Sequence, residues 1–209
     1  MKNKFLKGLI ASFALTVSGI VNAGLITIFT DEADFINAVN ITGTYDFNSD
    51  TLGVFSNNDF GDFSIYENDS LITLSVANTS SIFTSNHIDF FTQCCNVPDT
   101  MFIEFDFEIN AFGFDFSNED PTSDFTVVTV DGQSFNVGSP RTNGFFGLIS
   151  TSSFKLISFV DDPANGGANT STKFDNFKYQ AASVPEPSAI AFFALGLMGL
   201  ASRKFKKQA

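Results

Sequence analysis

Hydrophobic and polar residues alternate one by one along much of the chain. Residues 103–109 alternate Ile or Phe with Glu or Asp, and residues 112–116 repeat the pattern after a break at Asn110-Ala111. A period of two is typical of a β-strand with one buried face. Further strands are predicted at Leu25–Phe29, Gly43–Phe47, Asp62–Tyr66, Leu71–Val76, Phe125–Val130, Ser134–Val137, Gly144–Ile149, Phe154–Phe159 and Lys173–Tyr179.

One segment, Asp31 to Val39, has the spacing of a helix instead. Thr30 is predicted to cap it, and Phe35 lies on its apolar side. The dipeptide Asp131-Gly132 predicts a hairpin turn. About ten short antiparallel strands with one small helix predict an all-β fold, a two-sheet antiparallel sandwich that is jelly-roll-like.

Continuous apolar runs replace the alternation at both ends. Leu9 to Val21 follows a basic start and leads to a small-residue site, which predicts a secretory signal peptide cut between Ala23 and Gly24. A second run, Ser188 to Ala201, predicts a C-terminal transmembrane helix about one bilayer thick. The basic residues after it are expected to stop transfer on the cytoplasmic side, and they are Arg203, Lys204, Lys206 and Lys207. The predicted organisation is a signal peptide (1–23), an exported β-sandwich domain (24–183) and a sorting segment (184–209).

The predicted exported segment is strongly acidic and rich in phenylalanine. It holds four Lys and Arg against 22 Asp and Glu, a net charge of −18, and 23 of the 28 Phe residues. Repulsion from phosphate excludes nucleic acid and anionic lipid as partners. Because so many large apolar rings can offset chain entropy, the segment is predicted to fold rather than remain disordered.

The C-terminal segment resembles the PEP-CTERM sorting signal of Gram-negative bacteria. Three elements carry the resemblance in order: Val184-Pro185-Glu186-Pro187, the apolar run and the basic cluster. The resemblance implies recognition and processing by exosortase, a transient stay in the inner membrane as an anchored precursor, and delivery to the cell surface or extracellular matrix. More diffuse motifs, such as Phe112-Gly113-Phe114-Asp115-Phe116 and Phe174-Asp175-Asn176-Phe177, resemble exported proteins of this kind whose domains look like jelly rolls related to carbohydrate-binding modules.

Residues that could support enzyme chemistry are few. His87 is the one histidine, and it is expected at the surface or in a loop, with no nucleophile pattern around it. Glu104, Asp106 and Glu108 could serve glycoside hydrolysis, but such a row on one strand face is more typical of a solvated outer surface. No catalytic residue is therefore assigned.

So many acidic side chains suit a structural calcium ion. It prefers carboxylate and carbonyl oxygens. If the first and last strands pair, Asp46 and Asn48 lie beside Asp175 and Asn176, which predicts a calcium site. Asn118-Glu119-Asp120 and Asp161-Asp162 are alternative loops, and the competing interpretation is hydrogen bonding of these side chains to shape turns.

Cys94 and Cys95 are adjacent in a chain predicted to enter an oxidising compartment. Adjacent Cα atoms lie about 3.8 Å apart, closer than in ordinary disulfides, so a bond between them would be strained. Free thiols, a disulfide between the two neighbours and a covalent dimer all remain open.

Together these patterns predict an exported, non-catalytic surface or matrix protein. Its expected role is adhesion or matrix organisation in association with extracellular polysaccharide, as in a biofilm. The alternatives are a hydrolase acting on extracellular glycan and a self-assembling structural matrix protein.

Overall fold

A computed structural model describes residues 24–67, 72–78, 80, 82–92, 100–118, 126–138, 141–161 and 170–183. These residues form twelve strands and one helix, α1 (Glu32–Ala38). The strands are β1 (Ile26–Phe29), β2 (Gly43–Tyr45), β3 (Gly53–Phe55), β4 (Asn57–Asp59), β5 (Phe63–Glu67), β6 (Ile72–Ala77), β7 (His87–Thr92), β8 (Thr100–Asn118), β9 (Thr126–Val130), β10 (Gln133–Val137), β11 (Asn143–Asp161) and β12 (Thr170–Ala181).

The prediction of an all-β antiparallel fold with one short helix is confirmed. Two predicted breaks are wrong: the one between residues 103–109 and 112–116, and the one between Gly144–Ile149 and Phe154–Phe159. Each pair of predicted strands is a single continuous strand of 19 residues, Thr100–Asn118 and Asn143–Asp161. At the break expected at Asn110-Ala111, the register between β8 and β11 shifts. Residues 150–153 of β11 lie opposite the one residue of β8 between Ile109 and Ala111. A bulge of this kind bends a strand without ending it.

The two long strands join the others into one hydrogen-bonded sheet. The order along its main path is β10-β9-β11-β8-β12-β7-β6-β3, with β1 on β11, β2 on β12, and β4 and β5 extending from β8. The first half of β8 lies between β5 and the second half of β11, whereas its second half lies between β12 and the first half of β11. Two separate sheets were predicted. Instead, β8 and β11 each run through both halves of one continuous sheet and connect them.

Aromatic rings fill the space between the two halves. Phe63 of β5 lies 5.6 Å, centroid to centroid, from Phe177 of β12, and Phe105 lies 5.0 Å from Tyr179. All four side chains are at least 98 % buried. The alternation seen in the sequence therefore places Phe on the inner face, where ring packing adds about 0.5–1.5 kcal/mol per pair beyond burial.

Helix α1 packs against the sheet through the ring of Phe35. Phe35 is fully buried and packs 5.4 Å from Phe145. The predicted cap at Thr30 is wrong: Asp31 is the N-cap, and its carboxylate accepts from the Asp34 N–H at 3.0 Å. Asp and Thr both suit this position, and the observed start differs by one residue.

Three strands escaped prediction, namely β3, β4 and β7. The first two have three residues each, which is too short for a period of two to be recognised. No helix within the described residues is long and apolar enough to cross a membrane. The transmembrane helix predicted over Ser188 to Ala201 lies outside the described residues.

Candidate functional site

The pairing of β2 with β12 brings together two of the segments predicted to supply a site. Tyr45 is the cross-strand partner of Phe177 in antiparallel register. The residues that continue each strand, Asp46 and Asn176, consequently line one cleft of about 340 Å³ together with Ser49 and Lys178. The calcium prediction assumed that the first and last strands pair; β1 instead pairs with β11, and it is β2 that brings Asp46 beside the last strand.

Asp46 and Asn48 use their side chains to shape the turn after β2. The Asn48 N–H donates to Asp46 Oδ1 at 3.1 Å, and Asn48 Oδ1 accepts from the Asn86 N–H at 3.3 Å. Hydrogen bonds from Asn48 lower the pKa of the Asp46 carboxyl below its usual value. This is the arrangement of an Asx turn, the competing interpretation at the sequence level.

Asp175 and Asn176 form a cluster with a carboxylate from β8. Asp175 and Asp115 are direct cross-strand partners. Asn176, in the left-handed region at φ 52°, donates from Nδ2 to Asp115 Oδ2 at 2.8 Å. Ser85 Oγ donates to Asp175 Oδ2 at 2.8 Å, and the Asn176 N–H donates to Asp175 Oδ1 at 2.7 Å. We call these four residues the Asp115–Asp175 cluster.

A second cleft, of about 360 Å³, opens on the other side of Asn176. The cluster residues line it together with Ile82, Phe83, Thr84, Phe116, Asn143 and Gly144. Sequence reasoning missed Asp115 and Ser85, because neither lies near residue 175 along the chain. The Phe-Asp alternation around Asp115 was visible, but its pairing partner was not.

Burial dominates the electrostatics of the two opposed carboxyls. Asp175 is 1 % exposed, and burial raises its pKa despite the hydrogen bonds from Ser85 and Asn176. Burial likewise raises the pKa of Asp115, while its hydrogen bond from Asn176 and the charge of Lys178 act in the opposite direction. The folded state therefore disfavours full ionisation of the pair.

Asp175→Asn is expected to stabilise the fold at neutral pH. Raised carboxyl pKa values mean that ionisation costs the folded state stability above the ordinary value of 3.8, and that this cost disappears below it. Removing one of two opposed like charges should raise the free energy of unfolding by roughly 0.2–1 kcal/mol at pH 7. Thermal melts of both proteins between pH 3.5 and 7 would measure this. An equal gain at every pH, or a loss at pH 7, would contradict the assignment.

The one histidine belongs to this neighbourhood. His87 is fully buried at the start of β7, so the expectation of a surface or loop residue is wrong. Its Nδ1–H donates to the Ser85 carbonyl oxygen at 2.9 Å, because a carbonyl can only accept. Nε2 has no hydrogen-bond partner among the described residues. The ring thus supports the Ser85 loop rather than activating a nucleophile.

No group of three or more Asp, Glu, His or Cys side chains within the described ranges is arranged to hold a metal ion. Oxygens of Asp46, Asn48 and Asp175 already accept hydrogen bonds from protein donors. A calcium site built from Asp46, Asn48, Asp175 and Asn176 stays a prediction.

Gly24 lies between the β9–β10 turn and residues Ser150 and Ser152 of β11. Its N–H lies 3.2 Å from Asp131 Oδ2, and its carbonyl accepts from Gln133 Nε2 at 2.7 Å. A Cβ at this position would overlap Ser152 Oγ and lie 2.6 Å from Ser150 Oγ, so only glycine fits. Cleavage after Ala23, which stays a prediction, would turn the Gly24 nitrogen into an ammonium beside the Asp131 carboxylate.

The remaining predicted site residues lie outside the described residues. They are the cleavage residue Ala23, the adjacent Cys94 and Cys95, the sorting residues Val184, Pro185, Glu186 and Pro187, and the basic residues Arg203, Lys204, Lys206 and Lys207.

Comparison with known proteins identifies one motif. Residues 183–207 match the model of the PEP-CTERM protein-sorting motif. No curated protein matches the chain. Among solved structures, a mutant family 29 carbohydrate-binding module in complex with mannohexaose is similar at 14 % identity and a TM-score of 0.41, over 68 % of this chain and 94 % of that one.

Two further structures are similar at the same level. A family 29 carbohydrate-binding module from Piromyces equi matches at 14 % identity and a TM-score of 0.40, over 65 % of this chain and 93 % of that one. An arabinose-bound α-L-arabinofuranosidase matches at 14 % identity and a TM-score of 0.41, over 66 % of this chain and 26 % of that one.

The match to the sorting motif therefore assigns a role to the C-terminal segment. It occupies the segment in which the Pro-Glu-Pro triplet, the apolar run and the basic cluster follow one another. This chain carries a PEP-CTERM protein-sorting motif, which marks it as an exported precursor that exosortase processes on its way to the cell surface.

Proposed function

We propose that this chain is a non-catalytic surface or extracellular-matrix protein of a Gram-negative bacterium that associates with extracellular polysaccharide. The observation that carries the proposal is the sorting motif at residues 183–207, because it gives the chain a destination outside the inner membrane. The exported segment is the β-rich domain 24–183, for which we propose a jelly-roll-like arrangement. Its high negative charge favours solubility outside the cell.

The hydrogen bonding of the acidic side chains favours a binding role over hydrolysis. Glu104 Oε2 accepts from the Tyr66 hydroxyl at 3.1 Å, and Asp115 and Asp175 accept from Asn176 and Ser85. A pair of glycosidase carboxylates must instead face the scissile bond from two sides, with one of them free to donate a proton. Carboxylates held by internal donors are better suited to fixing loops or to accepting hydrogen bonds from hydroxyl groups.

Enzymatic digestion of the matrix polysaccharide should release the protein from cells. Washed cells producing the wild-type chain would be treated with polysaccharide-degrading enzymes or with the same enzymes heat-inactivated, and the protein would be quantified in the supernatant. We expect most of it to be released only by active enzyme. Protein that stays with the cells after the polysaccharide is gone would contradict association with that layer.

A second assay, with purified protein, tests the absence of catalysis. Purified protein incubated with the isolated polysaccharide should produce no new reducing ends. A rise in reducing ends that Glu104→Gln or Asp106→Asn abolishes would instead identify a hydrolase.

A further inference from the structure

A row of polar and aromatic side chains crosses the outer face of the part of the sheet that contains β5 and the first half of β8. Consecutive cross-strand pairs connect strands β4, β5, β8, β11, β9 and β10 without interruption. Paired residues in antiparallel strands project to the same side. The row is Asn57, Tyr66, Phe102, Ser158, Thr129 and Ser134. Five strand spacings make it about 24 Å long.

This row faces away from the core. Met101 and Ile103, on either side of Phe102 in β8, are fully buried, whereas Phe102 itself is partly exposed. Asn57 and Ser134, at the two ends, are exposed. A concavity of about 450 Å³ lies along the row and is lined by Phe102, Ser158 and Thr129, together with Leu156. The row therefore has both access to solvent and a depression beside it.

Two stacked rings form the apolar part of the row. Tyr66 and Phe102 are nearly parallel, with an interplanar angle of 20° and centroids 5.2 Å apart. The Tyr66 hydroxyl donates to Glu104 Oε2 at 3.1 Å, which fixes the ring. Because the two rings stack on each other, each covers one face of the other, and their edges and remaining faces form the apolar patch of the row.

Hydroxyl groups form the other part of the row. Thr129 Oγ1 and Ser134 Oγ lie 2.8 Å apart and share a hydrogen bond, and Ser158 is the cross-strand partner of Thr129. Hydroxyls can both donate and accept, which suits a ligand that itself carries hydroxyls. A sugar ring has an apolar face and a hydroxyl edge, so a chain of sugars matches an aromatic stack continued by hydroxyls.

The charges around the row select among glycans. Glu104, Asp59 and Ser64 form the neighbouring cross-strand row, and Glu108 and Asp131 line the concavity. Lys155 also lines the concavity, and its Nζ donates to the Asp106 carbonyl at 2.7 Å. A polymer with carboxylate or phosphate groups is repelled here, and so is nucleic acid, although its bases could stack on rings. An ammonium group gains from both the carboxylates and the π-faces.

We propose that this row is a binding site for a polysaccharide that contains amino sugars with free amino groups. The inference rests on the proposed association with extracellular polysaccharide and assigns it to particular residues. Tyr66 and Phe102 hold the apolar face of a sugar, Glu104 attracts the ammonium, and Ser158, Thr129 and Ser134 hydrogen-bond to the hydroxyls of the next units.

Calorimetric titration of the full chain in detergent, with three hexasaccharides of equal length, tests the site. The probes are glucosamine hexamer, its fully N-acetylated form and a hexagalacturonate. We expect the glucosamine hexamer to bind about fivefold more tightly than the acetylated form, an advantage that falls as salt is added, and the galacturonate not to bind.

Three variants separate the roles of the residues. Phe102→Ala should weaken binding of both the glucosamine and the acetylated hexamer about tenfold, and Phe102→Leu, which retains apolar volume, should weaken both as well. Glu104→Gln should reduce the affinity for the glucosamine hexamer to that of the acetylated form and leave the latter unchanged. Phe91→Ala, a partly exposed ring on β7 outside the row, is the matched control and should bind as the wild type does.

The outcomes distinguish this inference from the proposed function. Wild-type binding that none of the row variants changes would overturn the site and leave the association with polysaccharide intact. Failure of the wild type to bind these probes or the isolated matrix polysaccharide would overturn both. Preference for the galacturonate would overturn the assignment to amino sugars.

Discussion

The double variant Pro185→Ala, Glu186→Ala is expected to remain in the inner-membrane fraction as uncut precursor. Both residues belong to the sorting motif at 183–207. Alanine releases the backbone that proline holds near φ −65° and removes the one acidic charge of the motif segment. Immunoblots of cytosolic, inner-membrane and extracellular fractions should show near-complete loss of the processed form from outside the cell.

Pro163→Ala is the matched control, because it replaces a proline outside the motif. It should be processed and exported in wild-type amounts. Export of the double variant at the wild-type level would mean that the triplet does not direct sorting of this chain.

Phe114→Ala is expected to lower the free energy of unfolding by about 3–5 kcal/mol. Phe114 is fully buried at the centre of the folded sheet. Its ring lies within 6.2 Å of five others, which are Phe112, Phe146, Phe159, Phe174 and Phe177. Removing it leaves a cavity where rings from both halves meet. Because domains of this size are stable by only about 5–15 kcal/mol, this loss would remove a large fraction of the total stability.

Urea denaturation followed by circular dichroism measures this loss. Val54→Ala is the control, since Val54 is 74 % exposed on β3 and its truncation should change stability by less than about 0.5 kcal/mol. A loss below about 1 kcal/mol for Phe114→Ala would contradict a shared aromatic core.

The inner face of the sheet could be predicted from the sequence, because burial repeats every second residue. Ile103, Phe105 and Ile109 were expected inside, and all three are at least 99 % buried. The continuity of β8 over its 19 residues could not be predicted in the same way. Asn110-Ala111 reads as a break, yet β8 continues through it because the bulge in β11 absorbs the change of register.

The candidate site was predictable only in part. Proximity of Asp46 and Asn176 was predicted by assuming that the first and last strands pair; the last strand, β12, pairs with β2, whereas the first strand, β1, pairs with β11. Asp115 could not be assigned to Asp175, because 60 residues separate them and only the β8–β12 register makes them partners. The row through Tyr66 and Phe102 depends on five successive registers, and sequence alternation gives the face of a residue without giving its cross-strand neighbour.

The segment between the two apolar runs is expected to be delivered outside the inner membrane. Intact-mass measurement of the wild-type protein recovered from outside the cells tests this most directly. We predict a protein that begins at Gly24 and ends before the apolar run that starts at Ser188. Recovery of the uncut 209-residue polypeptide from the cytosol would contradict the account.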